Sequence, residues 1–301
     1  MRLRVFQVDA FTTELFGGNP AGVVLDAGGL DEPLMRRIAR EMNKSETAFV
    51  VGEGGDGYDI QVRFFTPTRE VPICGHATVA AHYVYARERG ISRGTLRQKT
   101  KAGILPVEIL PEEGDLRIVM TQAAVEFGAV LGGPERATLL EGLGMGEEEI
   151  EGSLPIQIVS TGHAKVLVPM RRKEALDGIA IRAEVLRGLS SRIGCNGFYA
   201  FTLDAREEGI LASGRMFAPA IGIDEDPVTG NANGPLGAYL TRYGRLEARA
   251  EGTRFAITQG EAIGRKGYMG VEVFSPGGEP RLVKISGRAR VAFETSICLD
   301  G

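Results

Sequence analysis

The sequence predicts an α+β fold built twice, and three observations carry that expectation. The first is an internal repeat: Arg63-x-Phe65-x-Pro67 followed by Pro72-Ile73-Cys74-Gly75-His76-Ala77 returns as Arg215-x-Phe217-x-Pro219 followed by Pro227-Val228-Thr229-Gly230-Asn231-Ala232. The second is that the repeat reaches far beyond this motif. Residues 18–25 match 161–168, each a turn feeding an apolar strand; 34–42 match 185–193 as helices; 105–109 match 269–273 as strands entered from a Gly-containing turn. Each copy therefore reads strand, turn, strand, helix, strand, strand, loop, helix, strands, the self-similarity expected of a duplicated unit. The third is length, since 301 residues suit two domains that each bury a core.

Boundaries follow from the repeat. Residues 1–122 form the first copy and 153–288 the second. Between them, 123–152 is Gly-rich and acidic, ending in Glu147-Glu148-Glu149-Ile150-Glu151, and reads as a solvated linker with a short helix. Residues 289–301 exceed the repeat and are expected as a strand extending either lobe's sheet, a return to the first lobe among the options.

The elements can be justified in order. Met1 to Asp9 alternates like a strand and holds no apolar stretch that would serve as a signal peptide or membrane span, so a cytoplasmic protein without a membrane partner is expected. Residues 47–51 and 58–64 are strand-like around Gly52-Glu53-Gly54-Gly55-Asp56-Gly57. That run satisfies G-x-G-x-x-G, but the residues after it alternate with period two where a dinucleotide fingerprint must open a helix, so a hairpin turn is predicted and no dinucleotide site. Small-residue segments over 77–85 and 232–243 pattern as helices, each opened by a Gly after a Pro-bounded loop. The pseudo-symmetry predicts that their N-termini face one cleft.

Composition narrows the function. The net charge of -4 is small and mixed, there is no Trp, and no basic stripe occurs, which argues against nucleic acid. Cys74, Cys195 and Cys298 share no metal-ligand spacing and leave an odd count, as reduced thiols do. No P-loop, nucleophile elbow or His-Glu-x-x-His motif is present.

Chemistry is expected where the copies diverge, because shared residues are explained by shared architecture. Glu46, entering a strand, stands opposite Gly197. It reads either as a surface Glu at a helix-to-strand turn or as a carboxyl group in a partly dry cleft, able to take and return a proton. His76 stands opposite Asn231, each just after the Gly that starts a helix. There a side chain either caps the helix or joins the free backbone N–H groups in holding a substrate carboxylate. Asp226 stands opposite Val71 in a lengthened loop, Asp224-Glu225-Asp226-Pro227, and either favours the helix dipole or reaches a ligand. His82 and His163 read as structural or solvent-facing.

Together these residues carry a resemblance. The chain resembles the PhzF family, the phenazine-biosynthesis isomerase-like proteins with the diaminopimelate epimerase-like fold, through Phe6-x-Val8-Asp9-Ala10-Phe11, Gly18-Asn19-Pro20-Ala21, Lys44-Ser45-Glu46-Thr47-Ala48-Phe49, Cys74-Gly75-His76-Ala77-Thr78 and Glu225-Asp226-Pro227-Val228-Thr229-Gly230. The resemblance implies two pseudo-symmetric lobes, each a curled, mostly antiparallel sheet around a central helix, with the active-site cleft between them. It implies a homodimer and no metal or organic cofactor. It puts the catalytic Glu on Glu46, the assisting His on His76 and the assisting Asp on Asp226, with Asn19, Ser45, Gly75, Ala77, Gly230, Asn231 and Ala232 binding a small-molecule substrate. In the namesake enzyme the Glu moves a proton between ring carbons of trans-2,3-dihydro-3-hydroxyanthranilate.

Two departures bear on the reaction. The namesake has Thr-Gly-Ser-Ala where this chain has Thr229-Gly230-Asn231-Ala232, which changes the size and hydrogen bonding of the expected site. An isomerase of PhzF type is therefore expected, without the namesake's substrate. Two-base epimerases of this fold place a Cys before each helix-starting Gly, and here the positions hold Cys74 and Thr229. A Thr hydroxyl is too weakly acidic to complete a thiol pair, which leaves a dehydratase with one Cys, or a non-catalytic binder, as alternatives.

Overall fold

The structure is a computed structural model and describes residues 2–299. Backbone contacts divide the chain into two units. One comprises residues up to Thr121 together with those from Ser286 onward, and the other comprises Gln122–Ile285.

The first unit runs β1 (Arg2–Ala10), β2 (Asn19–Val24), α1 (Glu32–Met42), β3 (Thr47–Gly55), β4 (Tyr58–Phe65), β5 (Glu70–Val71), α2 (Gly75–Arg89), β6 (Gly94–Thr100), β7 (Gly103–Glu112) and β8 (Asp115–Thr121). β2 is antiparallel to β1 and parallel to β3, β3 is antiparallel to β4, and β4 runs parallel to β6. β6, β7 and β8 continue as an antiparallel meander. The Gly-rich run at 52–57 is a hairpin: β3 pairs antiparallel with β4 up to Gly55 opposite Tyr58, and Gly57 turns the chain at φ +81°. No helix follows it, so the dinucleotide reading fails as expected.

Two helices serve this sheet differently. Asp31 caps α1 by accepting from the Leu34 N–H, Asn43 ends it in the left-handed region at φ 49°, and only the face of Met35, Ile38 and Ala39 is buried. By contrast, every residue of α2 from His76 to Ala86 is buried, and the helix touches β1, β2, β3, β7 and β8. A sheet whose first and last strands both reach one helix must curl around it. The small side chains of Ala77, Ala80, Ala81 and Ala86 let the strands approach closely.

The second unit repeats this plan with additions. It runs β9 (Glu126–Val130), α3 (Gly133–Leu143), β10 (Gln157–Ser160), β11 (Lys165–Met170), α4 (Lys173–Asp177), α5 (Ala183–Ile193), β12 (Phe198–Thr202), β13 (Ile210–Ala218), β14 (Ile223–Asp226), α6 (Gly230–Arg242), β15 (Thr253–Gln259), β16 (Gly267–Phe274) and β17 (Leu282–Gly287). β11 is parallel to β12, β12 antiparallel to β13, and β13 parallel to β15, the same order of senses as β2, β3, β4 and β6. α6 is the second central helix, buried at Gly230 and from Ala232 to Thr241. At Gly237 an added Cβ would lie 2.8 Å from Val271 Cγ1 and from Val273 Cγ2, so α6 can lie this close to β16 only without a side chain there.

One expectation about boundaries is revised, and an option left open is decided. Residues 123–152 are not a detached linker. β9 pairs antiparallel with β10, and Leu139, Leu140 and Leu143 of α3 are buried in a core shared with Leu186 and Leu189 of α5. The acidic run suggested solvation, and Glu147 and Glu148 are exposed, but the leucines before it are held by packing that composition does not reveal. After β17, β18 (Ala289–Cys298) lies in the first unit, antiparallel to β1 from Arg2 opposite Cys298 to Ala10 opposite Ala289. Residues 300–301 lie outside the described ones.

The duplicated Arg-x-Phe-x-Pro has a physical role in both units. Arg63 donates from Nε and Nη2 to the two carboxylate oxygens of Glu70, each at 2.8 Å, and lies over the Phe65 ring. Arg215 donates in the same way to Glu225, at 3.0 and 2.7 Å, and lies over the Phe217 ring. These planar two-point pairs pin the loop that leads to each central helix.

Candidate active site

In the first unit the left-handed turn at Asn43 ends α1 and delivers Ser45 and Glu46 to the start of β3. The backbone there is fixed by the Gly22 N–H, which donates to the Glu46 carbonyl at 3.1 Å. The Glu46 side chain is 17% exposed, and its Oε2 lies 3.5 Å from Nε2 of the buried His76. Ser45 Oγ is 3.3 Å from the same nitrogen. Cys74 Sγ is 3.4 Å from His76 Nδ1 and 4.0 Å from its Nε2. His76 thus lies close to both a carboxylate and a thiol.

These groups surround the start of α2. Cys74 is the N-cap residue, extended at φ −145° and ψ 122°, and its side chain makes no capping bond. The N–H groups of the first turn, at Gly75, His76 and Ala77, have no acceptor within the helix and carry the positive end of its dipole. Thr78 secures the turn by donating from both its N–H, at 2.9 Å, and its hydroxyl, at 2.7 Å, to the Cys74 carbonyl. A carboxylate ligand is favoured at such a helix end. The donor atoms of Glu46, Cys74 and His76 also lie within 4.8 Å of one another, close enough that a metal ion could be held there.

In the second unit the matching helix start is built around Asp226. Thr229, the N-cap of α6, donates its hydroxyl to Asp226 Oδ2. Gln259, at the end of β15, ties the corner together: it donates from Nε2 to the Asp226 carbonyl at 2.7 Å and to Thr229 Oγ1 at 3.1 Å, while its Oε1 accepts from the Thr229 N–H at 3.1 Å. Asn233 donates to Gln259 Oε1 at 3.0 Å and to the Thr229 carbonyl at 3.1 Å, and accepts from the buried Tyr199 hydroxyl. Asn231 is exposed, and Gly230 and Ala232 are buried beside it.

The structure thus brings Ser45, Glu46, His76, Gly75 and Ala77 together in the first unit, and Asp226, Gly230, Asn231 and Ala232 together in the second. Asn19 is buried at the start of β2, opposite Ala10 of β1. His82 is structural, as expected: its Nδ1 is 3.0 Å from the Thr78 carbonyl, and burial pushes its pKa down to about 4, so the ring is neutral near pH 7. His163 is exposed, and the charge of Lys165 and partial burial push its pKa down.

Sequence reasoning missed Gln259, Asn233, Tyr199 and Lys165. Asn233 left a signal, since it occupies the repeat position of Thr78, and both residues hold the N-cap carbonyl of their helix. Lys165 is only 3% exposed, and burial pushes its pKa down to about 8 against the raising influence of Cys195 and Asp226.

Comparisons with known proteins identify the family. The chain is 48% identical over 299 residues to an uncharacterized isomerase of Clostridium acetobutylicum, covering 99% of each chain. It is 31% identical to the trans-2,3-dihydro-3-hydroxyanthranilate isomerase of Pseudomonas fluorescens, covering 93% of this chain and 94% of that one. The crystal structure of a PhzF-family phenazine biosynthesis protein from Bacillus anthracis superposes with a TM-score of 0.89 at 35% identity, over 99% of this chain and 100% of that one. A probable proline racemase of Agrobacterium radiobacter and a hydroxyproline epimerase of Agrobacterium vitis share the fold alone, each with a TM-score of 0.65, at 14% and 13% identity. The class is therefore an isomerase on the diaminopimelate epimerase-like fold. Residues 8–295 match the model of the phenazine biosynthesis-like proteins, PhzC-PhzF, and the chain belongs to that family.

Proposed function

We propose that the protein is a cofactor-independent isomerase that moves a proton between carbons of a small, carboxylate-bearing substrate, with Glu46 as the general acid and base. The observation that carries this reading is the Glu46 carboxylate, partly buried at the mouth of α2 and 3.5 Å from His76 Nε2. One carboxyl group that removes a proton and returns it elsewhere on the same molecule balances the reaction, so neither step calls for a redox or carbonyl-activating group. His76 and Ser45 hold Glu46 and a polar group of the substrate. The N–H groups at Gly75 and Ala77 bind its carboxylate, with Asn19 completing the binding surface. Asp226, Gly230, Asn231 and Ala232 form the corresponding helix start of the second unit.

The named activity of the Pseudomonas fluorescens relative supports a cyclic amino or hydroxy acid as the substrate class. The exposed Asn231 amide stands where the namesake has a hydroxyl, so the namesake's own substrate is not carried over to this chain. A homodimer in the cytoplasm is part of the reading and is checked by sedimentation of the purified protein. Incubation in deuterated water with a panel of cyclic amino and hydroxy acids is the direct test of function. Deuterium entering a carbon position supports the isomerase, and saturable binding without exchange replaces it with a non-catalytic binder.

A second reading has an observation of its own: Cys74 Sγ lies 3.4 Å from His76 Nδ1, so the imidazole can draw the thiol proton and make Cys74 the base of a dehydratase or epimerase. Thr229, at the repeat position of Cys74, weighs against it, because a Thr hydroxyl is far too weakly acidic to complete a thiol pair. Cys74→Ser is therefore expected to keep most of the exchange activity. A loss of about a hundredfold or more, the scale of removing an acid–base group, would favour the dehydratase.

A further inference from the structure

Among the described residues, Glu46, Cys74 and His76 are the one group of three carboxylate, thiol or imidazole side chains whose donor atoms all lie within 4.8 Å of one another. The proposed reaction uses the carboxylate and the imidazole and leaves the thiol idle. Glu46 Oε2 and Cys74 Sγ lie 3.5 and 4.0 Å from His76 Nε2. A tetrahedral zinc ion with its usual bond lengths sets such atoms about 3.3 to 3.6 Å apart. Modest rotations of the Glu46 and Cys74 side chains therefore close the trio around one ion, and the Cys74 side chain makes no helix-capping bond that would hold it back.

The repeat shows that the shared architecture does not require these donors. In the first unit the Gly22 N–H donates to the carbonyl of Glu46, and in the second the Val166 N–H donates to the carbonyl of Gly197, so Gly197 is the structural counterpart of Glu46. An added Cβ at Gly197 would lie 2.4 Å from Lys165 Cδ and 2.8 Å from its Cε, so the lysine stem fills the space that a side chain would need. Thr229 and Asn231 stand where the first unit has Cys74 and His76. Neither a hydroxyl nor an amide is among the side chains that ordinarily hold zinc. All three donors occur in the first unit, and none of the three in the second.

We propose that Glu46, Cys74 and His76 form an inhibitory site for a thiophilic divalent cation such as zinc, held by the three side chains at the start of α2. Binding breaks the Cys74 S–H bond, forms a zinc–sulfur bond and releases the thiol proton to solvent. The thiolate and the Glu46 carboxylate together balance the charge of the ion, which offsets the positive end of the α2 dipole that by itself disfavours a cation. Glu46 and Cys74 are partly exposed and give the ion access, while the buried His76 supplies a fixed ligand. A thiolate with an imidazole selects zinc over magnesium and calcium, which take oxygen ligands. Inhibition follows because the ion occupies the carboxylate that takes the substrate proton. That effect rests on the proposed isomerase reaction, whereas binding of the metal does not.

Cobalt(II) is the probe of binding, because a thiolate ligand gives it a near-ultraviolet sulfur-to-metal charge-transfer band. Titrated into the reduced protein, it should produce the band in wild type and none in Cys74→Ser or Cys74→Ala. Cys298→Ser, which removes the exposed thiol, should keep the band. Zinc should displace the cobalt and bleach it. Zinc affinity measured in this way should fall at least about tenfold in Cys74→Ser, His76→Asn and Glu46→Gln, since even changes outside the ligand set cost that much. A wild type without the band, a band that Cys74→Ser retains, or one that Cys298→Ser loses overturns the site.

In the exchange assay, zinc at ten times its dissociation constant should lower wild-type kcat/KM about tenfold by mass action, and should lower that of Cys74→Ser no more than about twofold, each relative to its own metal-free rate. Magnesium at the same concentration should have no effect. Stimulation by zinc, or equal inhibition of Cys74→Ser, overturns the inhibitory role. If the cobalt band depends on Cys74 but Glu46→Gln still exchanges substrate hydrogen, the isomerase reading fails and the metal site stands. If Glu46→Gln abolishes exchange and wild type gives no band, the isomerase reading stands and the metal site falls.

Discussion

Glu46→Gln is expected to abolish carbon-bound deuterium exchange while substrate binding survives. The amide has nearly the shape of the carboxylic acid and keeps an oxygen within reach of His76, so the surroundings of the helix start are preserved. It cannot accept a proton from carbon and give it back, and loss of that step typically costs about 10² to 10⁴ in rate. The binding groups expected at the site, the backbone N–H donors at Gly75 and Ala77, are untouched, so the variant should still be saturated by the same compounds, as calorimetry can measure. Glu46→Asp is a useful companion. It keeps the acid but withdraws it by about one methylene, and poor placement alone is known to reduce catalysis steeply. Exchange by Glu46→Gln at close to the wild-type rate would remove Glu46 from the mechanism.

How much of this was legible in the sequence depended on whether the signal was local. The repeat, both central helices and the hairpin at 52–57 could be read because turn glycines and alternation are properties of adjacent residues. Glu46, His76 and Asp226 could be singled out because the duplication supplies an internal control: a residue that departs from its counterpart has escaped the demands of the shared fold. The same control was available for Glu70 and Glu225, which each precede a diverging residue, but their arginine partners lie seven and ten positions upstream and the two loops differ in length. Gln259 and Lys165 were out of reach. Gln259 matters only because β15 brings its amide to the corner of α6, and Lys165 only because Gly197 leaves room for its stem. The packing of α3 was hidden for the same reason, since the acidic run after it dominated the composition while its leucines face α5.

Arg215→Met is expected to destabilise the protein by about 3 to 5 kcal/mol, the range for breaking a buried ion pair by removing one partner. The Arg215 side chain is 10% exposed and that of Glu225 11%. Besides its two bonds to Glu225, Arg215 donates from Nη1 to the carbonyls of Leu176, Asp177 and Ile179, at 3.1, 3.1 and 3.0 Å. One guanidinium therefore joins β13, the end of α4 and β14, the strand that leads to α6. Methionine fills much of the volume but leaves a carboxylate and three carbonyls without this donor, and buried acceptors lose free energy when a partner is removed. Arg63→Met in the first unit is the internal comparison. Arg63 has a 24% exposed side chain and its recorded partners are carboxylates, one of them the half-exposed Glu32, so water can replace more of what is lost and the effect should be smaller. Urea unfolding measures both. Adding Glu225→Gln to Arg215→Met should cost much less than the sum of the single changes, because the charge stranded by the first substitution is removed by the second. Additive losses would mean that Arg215 acts through the three carbonyls alone, and that its pairing with Glu225 does not hold the loop leading to Asp226.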